Sequence, residues 1–239
     1  MREHRTLAVL RAGGLPAQLS ADPVAQLTQR FSRRIARYVR EGCVAALRQR
    51  LRADYLVLQC SAEFGDDATL DIIGQAVQRF AARERLAVVL LRAGAAPWHD
   101  DLGVHRRLRA RLGGVPSAIV SALNPWTIVA TIAASRLFCG SSLHGRIVAA
   151  AHGKARLSLV PDARSGAKQR AYIETWDAPA GAACAPVDAH ALQCMLRMAM
   201  SGNDQAAAAA QSAAQAAWQA GRTLREALAS AQPAASAGS

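Results

Sequence analysis

The residues best suited to chemistry are Gly140-Ser141-Ser142-Leu143-His144-Gly145, a small polar turn between an apolar run and a segment of small residues. Helix N-termini present unpaired amides and a positive dipole end, so this turn suits an anion if a helix begins there. Ser141 and Ser142 offer hydroxyls and amides to that anion. Gly140 lets the backbone turn tightly, and Gly145 removes a side chain where a ligand or another backbone must come close. His144 falls in the first helical turn, with its ring near the mouth of a crevice. The dipole there favours the neutral imidazole, whereas a bound phosphate favours its protonated form. A capping or surface histidine is the competing reading, and the placement of the turn decides between them.

Other charged groups have weaker claims. Lys168, with Arg164 or Arg170 beside it, adds positive charge to a phosphate site or belongs to a solvated loop. Ser61-Ala62-Glu63-Phe64-Gly65-Asp66-Asp67 carries carboxylates but no arginine. Glu63 and Asp66 have the chemistry of bases, but Asp66 and Asp67 also suit the start of a helix. His99, His105, His152 and His190 lack metal-ligand spacing with carboxylates or cysteines and read as surface or structural, so no metal is expected. Cys43, Cys60, Cys139, Cys184 and Cys194 show no C-x-x-C spacing and read as free thiols of a reducing compartment.

The elements that must hold the turn follow from apolar runs alternating with helical spacing. Strands are expected at 55–60, 86–91, 118–120, 136–140 and 156–160. Leu70, Ile73, Val77 and Phe80 mark a helix after the first strand, and a basic helix around Val104 to Leu112 follows the second. Asn124-Pro125 begins the third as a cap followed by proline, and Leu143 to Ala151 forms the fourth. This alternation implies right-handed crossovers and a Rossmann-like α/β fold, a parallel sheet with helices on both faces, plus flanking helices.

Residues 1–53 contain an amphipathic helix with Arg30, Arg33, Arg34, Arg37 and Arg40 on one face and Phe31, Ile35 and Tyr38 on another. Residues 54–200 form the Rossmann-like domain, and 201–239 an alanine-rich helix capped by Asn203 with a disordered tail from Gln232. The net charge of +12 admits nucleic acid, an anionic membrane surface or a phosphorylated substrate. No zinc, helix-turn-helix or aromatic-interleaved signature accompanies it, so no specific nucleic acid partner is expected. No stretch spans a bilayer and no signal peptide opens the chain, which points to the cytoplasm, with peripheral membrane association left open to the basic face.

The stretch Ala134 to Gly145, ending in Ser142-Leu143-His144-Gly145, resembles the polysaccharide pyruvyl transferase family. Pro161-Asp162 and the Lys168 to Tyr172 segment also look like that family, the likeness running from about Asp54 to Trp176. The resemblance implies the C-terminal half of a GT-B-like fold, with catalytic His144 and a donor site of Gly140, Ser141, Ser142, Gly145 and Lys168. It further implies phosphoenolpyruvate as donor, no separate cofactor, and a glycan or lipid-linked sugar acceptor in exopolysaccharide biosynthesis. Arg2-Glu3, Thr6 to Gly14 and Asp22-Pro23 look like the close of the family's first domain, which implies a chain that begins partway through a longer parent or a naturally reduced version of it. Two alternatives stand beside this expectation. One keeps the GT-B-like fold with a nucleotide sugar as donor; the other is a non-catalytic interaction module.

Overall fold

A computed structural model describes residues 4–94, 99–177, 183–201 and 203–231. Helices α1 (His4–Ala12), α2 (Leu27–Glu41) and α3 (Cys43–Leu51) come first, with a 3-10 turn at Pro23–Gln26. The alternation then runs β1 (Tyr55–Gln59), α4 (Asp67–Glu84), β2 (Ala87–Leu91), α5 (Leu102–Ala110), β3 (Ser117–Val120) and α6 (Pro125–Ala133). It continues through β4 (Leu137–Gly140), α7 (Leu143–Ala151) and β5 (Ala155–Val160). After them come α8 (Ala167–Tyr172), a π-helical turn at Ile173–Asp177, β6 (Ala183–Pro186), α9 (Ala189–Ser201) and α10 (Asn203–Ala231).

The strands lie in the order β3-β2-β1-β4-β5-β6, with every pairing parallel. This is the Rossmann-like α/β arrangement the alternation calls for. Consecutive residues of each central strand enter opposite apolar layers. Leu56, Leu58, Leu137, Cys139, Leu157 and Leu159 pack with α4, α5 and α9 on one face. Tyr55, Val57, Val89 and Phe138 pack with α2, α3, α6 and α7 on the other. Burial on both sides explains why these strands read as unbroken apolar runs. The sixth strand was not legible. Ala183-Cys184-Ala185-Pro186 is short, small and proline-ended, tolerable only because β6 is an edge.

Side chains fix the helix starts. Asp66 accepts from the Thr69 amide at 2.8 Å, Asn124 from Trp126 at 2.9 Å with Pro125 following, and Ser142 from Gly145 at 3.1 Å. Such caps stabilise a helix by about 1 kcal/mol each.

The flanking helices pack back onto this unit. Ile35 of α2 is buried, while Phe31 meets Trp126 edge-on at 5.2 Å and Arg34 stacks over the same ring at 4.6 Å. Arg30, Arg33, Arg37 and Arg40 face solvent. Ala213, Ala214 and Ala217 of α10 are buried, with Ala213 and Ala217 packing on Ala21 and Ala25 beside the 3-10 turn. Among the described residues no helix is long and apolar enough to cross a membrane. The expected tail, 232–239, and Arg2-Glu3 lie outside the described residues.

Behind α7 a second polar group is sealed in the core. Asp177 receives Arg146 Nε at 2.8 Å and Arg156 Nη2 at 2.7 Å, and Arg146 Nη1 donates to Ser158 Oγ at 3.2 Å. All four residues are buried. Burial works against the Asp177 charge, yet the two guanidinium groups hold its carboxyl below the usual carboxylate range. The triad pins the π-helical turn to α7 and β5.

Candidate functional site

Strand order reverses between β1 and β4, and that reversal opens a crevice past their carboxyl ends. A cleft of about 670 Å³ lies there, lined by Gln59 at the end of β1 and Ser61 after it, Asp100 after β2, and Ser142, His144 and Lys168 beyond β4 and β5.

The floor is a chain of hydrogen bonds. Gln59, only 2% exposed, accepts from the Ser142 amide through Oε1 at 2.8 Å and donates Nε2 to Asp100 Oδ1 at 2.6 Å. Asp100 Oδ2 accepts from the amides of Ala93 and Gly94 at 2.5 and 3.0 Å. On the other side Ser141 Oγ lies 3.3 Å from Gln59 Oε1 and accepts from the Ser61 amide at 3.2 Å. Ser61 Oγ in turn donates to Glu63 Oε1 at 2.9 Å. Gln169 of α8 donates to the Ser141 carbonyl at 2.9 Å, bringing the β5 loop onto the turn.

The two glycines of the turn have packing reasons. A Cβ on Gly140 would lie 2.7 Å from the Gln59 carbonyl oxygen and 2.9 Å from its Oε1. A Cβ on Gly145 would lie 2.4 Å from Cζ of Phe138, whose ring fills the space under α7. Both serve the strand-to-helix crossing itself.

Ser142 caps α7 with its hydroxyl, so the amides of Leu143 and His144, the first two helical residues, point out without intrahelical acceptors. They form the positive end of the helix dipole. The His144 ring is exposed, its side chain at 67%, and Nε2 stands 3.7 Å from Oδ2 of buried Asp22. Lys168 reaches the same cleft from α8. Ser141, Ser142, His144 and Lys168 therefore converge on the cleft, while Gly140 and Gly145 belong to the crossing behind it. Two amides, one ammonium and one imidazole around a crevice can hold a doubly charged group such as a diphosphate.

The remaining candidates separate. Arg170 donates to the Ser165 and Ala163 carbonyls, bracing its loop rather than the cleft. Asp66 caps α4, and that amide hydrogen bond lowers its carboxyl pKa. Glu63 and His99 line the cleft. His105 is buried, with neither ring nitrogen hydrogen-bonded among the described residues, and burial disfavours its charged form. His152 sits in a different cleft with Thr28, Gln29 and Gln211; burial, then Lys154, pushes it down to about 4. His190 lies 3.6 Å from Cys194 Sγ on α9. Among the described residues no three His, Cys, Asp or Glu side chains gather to hold a metal ion. Gln59 and Asp100 escaped the motif reading. Their signal was a single amide side chain ending the apolar run 55–59, at the carboxyl edge where ligands bind.

No family model matches the chain, and no curated protein matches it. Solved structures do. UDP-GlcNAc 2-epimerase from Neisseria meningitidis, bound to UDP-GlcNAc, superposes with a TM-score of 0.60 at 12% identity, over 94% of this chain and 59% of that one. The Methanocaldococcus jannaschii UDP-GlcNAc 2-epimerase, in complex with UDP-GlcNAc and UDP, gives 0.61 at 12% identity over the same shares. A UDP-forming α,α-trehalose-phosphate synthase from Burkholderia xenovorans gives 0.55 at 13%, covering 89% of this chain and 52% of that one. The chain spans between half and three-fifths of these proteins. At such identity the likeness shows the fold, a Rossmann-like half of the GT-B kind.

The pyruvyl transferase expectation is corrected by these findings. The matching structures are nucleotide-sugar enzymes, so phosphoenolpyruvate as donor, a ketal-forming transfer and a glycan acceptor in exopolysaccharide synthesis do not hold. The geometry explains the misreading. Gly140 clears Gln59, Ser142 caps α7 and Gly145 clears Phe138. The Ser-Leu-His-Gly signature records a tight strand-to-helix crossing that does not specify its anion.

Proposed function

We propose that this chain is the nucleotide-binding half of a GT-B-like enzyme acting on a nucleoside diphosphate sugar. The observation that carries the reading is the coincidence of the strand-order reversal with the unpaired Leu143 and His144 amides and Lys168 in one cleft. The similar folds of UDP-GlcNAc 2-epimerases and a UDP-forming synthase support the choice of a nucleoside diphosphate over other anions.

In this reading the Leu143 and His144 amides and Lys168 bind the diphosphate, while Gly140, Ser141, Ser142 and Gly145 shape the turn that presents them. A protonated His144 can donate to the diphosphate oxygen that takes the bonding pair as its bond to the sugar's anomeric carbon breaks and the diphosphate leaves. Asp22 Oδ2 faces the His144 ring, 3.7 Å from Nε2. Residues 54–200 form the binding unit, with 1–53 and 201–239 as its attachments. Five free cysteines, three of them buried, support a reducing, cytoplasmic setting.

UDP titrated into the folded chain is expected to raise its unfolding temperature saturably, by a few degrees at a hundredfold excess over Kd. Uridine should do much less, since it lacks the charge. Absence of any stabilisation by millimolar UDP, together with unmoved Leu143 and His144 amide resonances, would falsify the reading.

A further inference from the structure

The cleft floor carries a device beyond anion binding. Gln59 is buried, yet it is not anchored to the core: both ends of its amide hold elements that border the cleft. Its Oε1 occupies the Ser142 amide, and its Nε2 occupies Asp100. The orientation is fixed by chemistry. Reversing the amide would set NH2 against an N–H and oxygen against a carboxylate, losing both bonds. Asp100 in turn ties the amides of Ala93 and Gly94, which also line the cleft. Gly140 supplies the room, because a Cβ there would lie 2.9 Å from Gln59 Oε1.

The Ser142 amide adjoins those of Leu143 and His144 at the positive end of α7. The oxygen now bonded to it is the neutral, weaker acceptor of an amide. A phosphate oxygen is anionic, and charge-assisted hydrogen bonds are about twice as strong as neutral ones. We propose that Gln59 is a displaceable positioning residue: a phosphate oxygen takes the Ser142 amide from it, and the freed Gln59 shifts the Asp100 contacts holding Ala93 and Gly94. Diphosphate binding beyond β4 is thereby communicated to the segment after β2. The proposal rests on the nucleoside diphosphate reading of the cleft.

The test is an amide NMR titration of the full chain with UDP, following the Leu143, His144, Ser142, Ala93 and Gly94 backbone amides and the Gln59 side-chain NH2. Support requires that Ser142, Gln59, Ala93 and Gly94 shift with the same apparent Kd as Leu143 and His144. If Leu143 and His144 shift while Gln59, Ala93 and Gly94 stay, the relay is overturned and the binding reading survives. If none shifts, both fail. Gln59→Leu adds a second readout. It removes both amide bonds, so UDP should still shift Leu143 and His144 while Ala93 and Gly94 no longer respond. An unchanged Ala93 and Gly94 response in a folded Q59L protein overturns the relay.

Discussion

One helical turn of α7 separates two polar clusters with opposite duties. At its start, Ser142 and His144 border an open cleft, with main-chain donors left over and the exposed Lys168 ammonium beside them. At Arg146 the same helix enters a sealed triad in which two guanidinium groups share the Asp177 carboxylate. The triad even carries a buried Arg146 Nη2 with no hydrogen-bond partner among the described residues. Access to water is the difference. An unsatisfied donor that solvent or ligand can reach is a binding resource, whereas one shut inside is a standing cost. Charge density alone would rank the triad above the cleft, and that ranking would be wrong.

The sharpest way to break this contrast is Asp177→Asn. It leaves two buried guanidinium groups without their carboxylate, and the expected loss is about 3–5 kcal/mol in urea unfolding. The fraction that stays folded should bind UDP as before. A loss of affinity without a loss of stability would show that the triad is part of the site.

Acidity next separates the triad from His152 at the far end of α7. His152 is pushed down to about 4, so the unfolded chain binds its proton first as pH falls from about 6.5. Stability should decline between those values, by at most about 3 kcal/mol from this group. His152→Gln should flatten that decline in melts across the range. Asp177 acts lower. With a depressed carboxyl its stabilisation is full above about pH 4 and is lost as pH falls through the folded value.

The smallest effect belongs to the cleft. Lys168 is exposed, so Lys168→Ala should leave unfolding unchanged and weaken UDP three- to tenfold, about 1 kcal/mol, by calorimetry. Unchanged affinity would remove Lys168 from the diphosphate and leave the α7 amides as its main hold.

The central strands and their helices were readable because burial on both faces writes unbroken apolar runs, and caps such as Asn124-Pro125 mark starts locally. The turn at Ser142 was readable for the same local reason. Its ligand was not, since the residues that made the motif distinctive serve the crossing. Gln59 and Asp100 lie 41 positions apart and meet only through the sheet, and Asp177 reaches Arg146 across 31. Contacts of that kind leave no periodic trace in the chain.

The central place of β1 also sets an order of events in folding. On a chain made from its N-terminus, β1 can pair with β2, and β2 with β3, early, but the other edge of β1 stays bare until Leu137 arrives. Pairing across that separation is slow and leaves a strand edge open to association. The crevice comes into being when β4 docks, so ligand binding can report completion of the sheet, and a nucleotide present during refolding should retain only chains that have closed it.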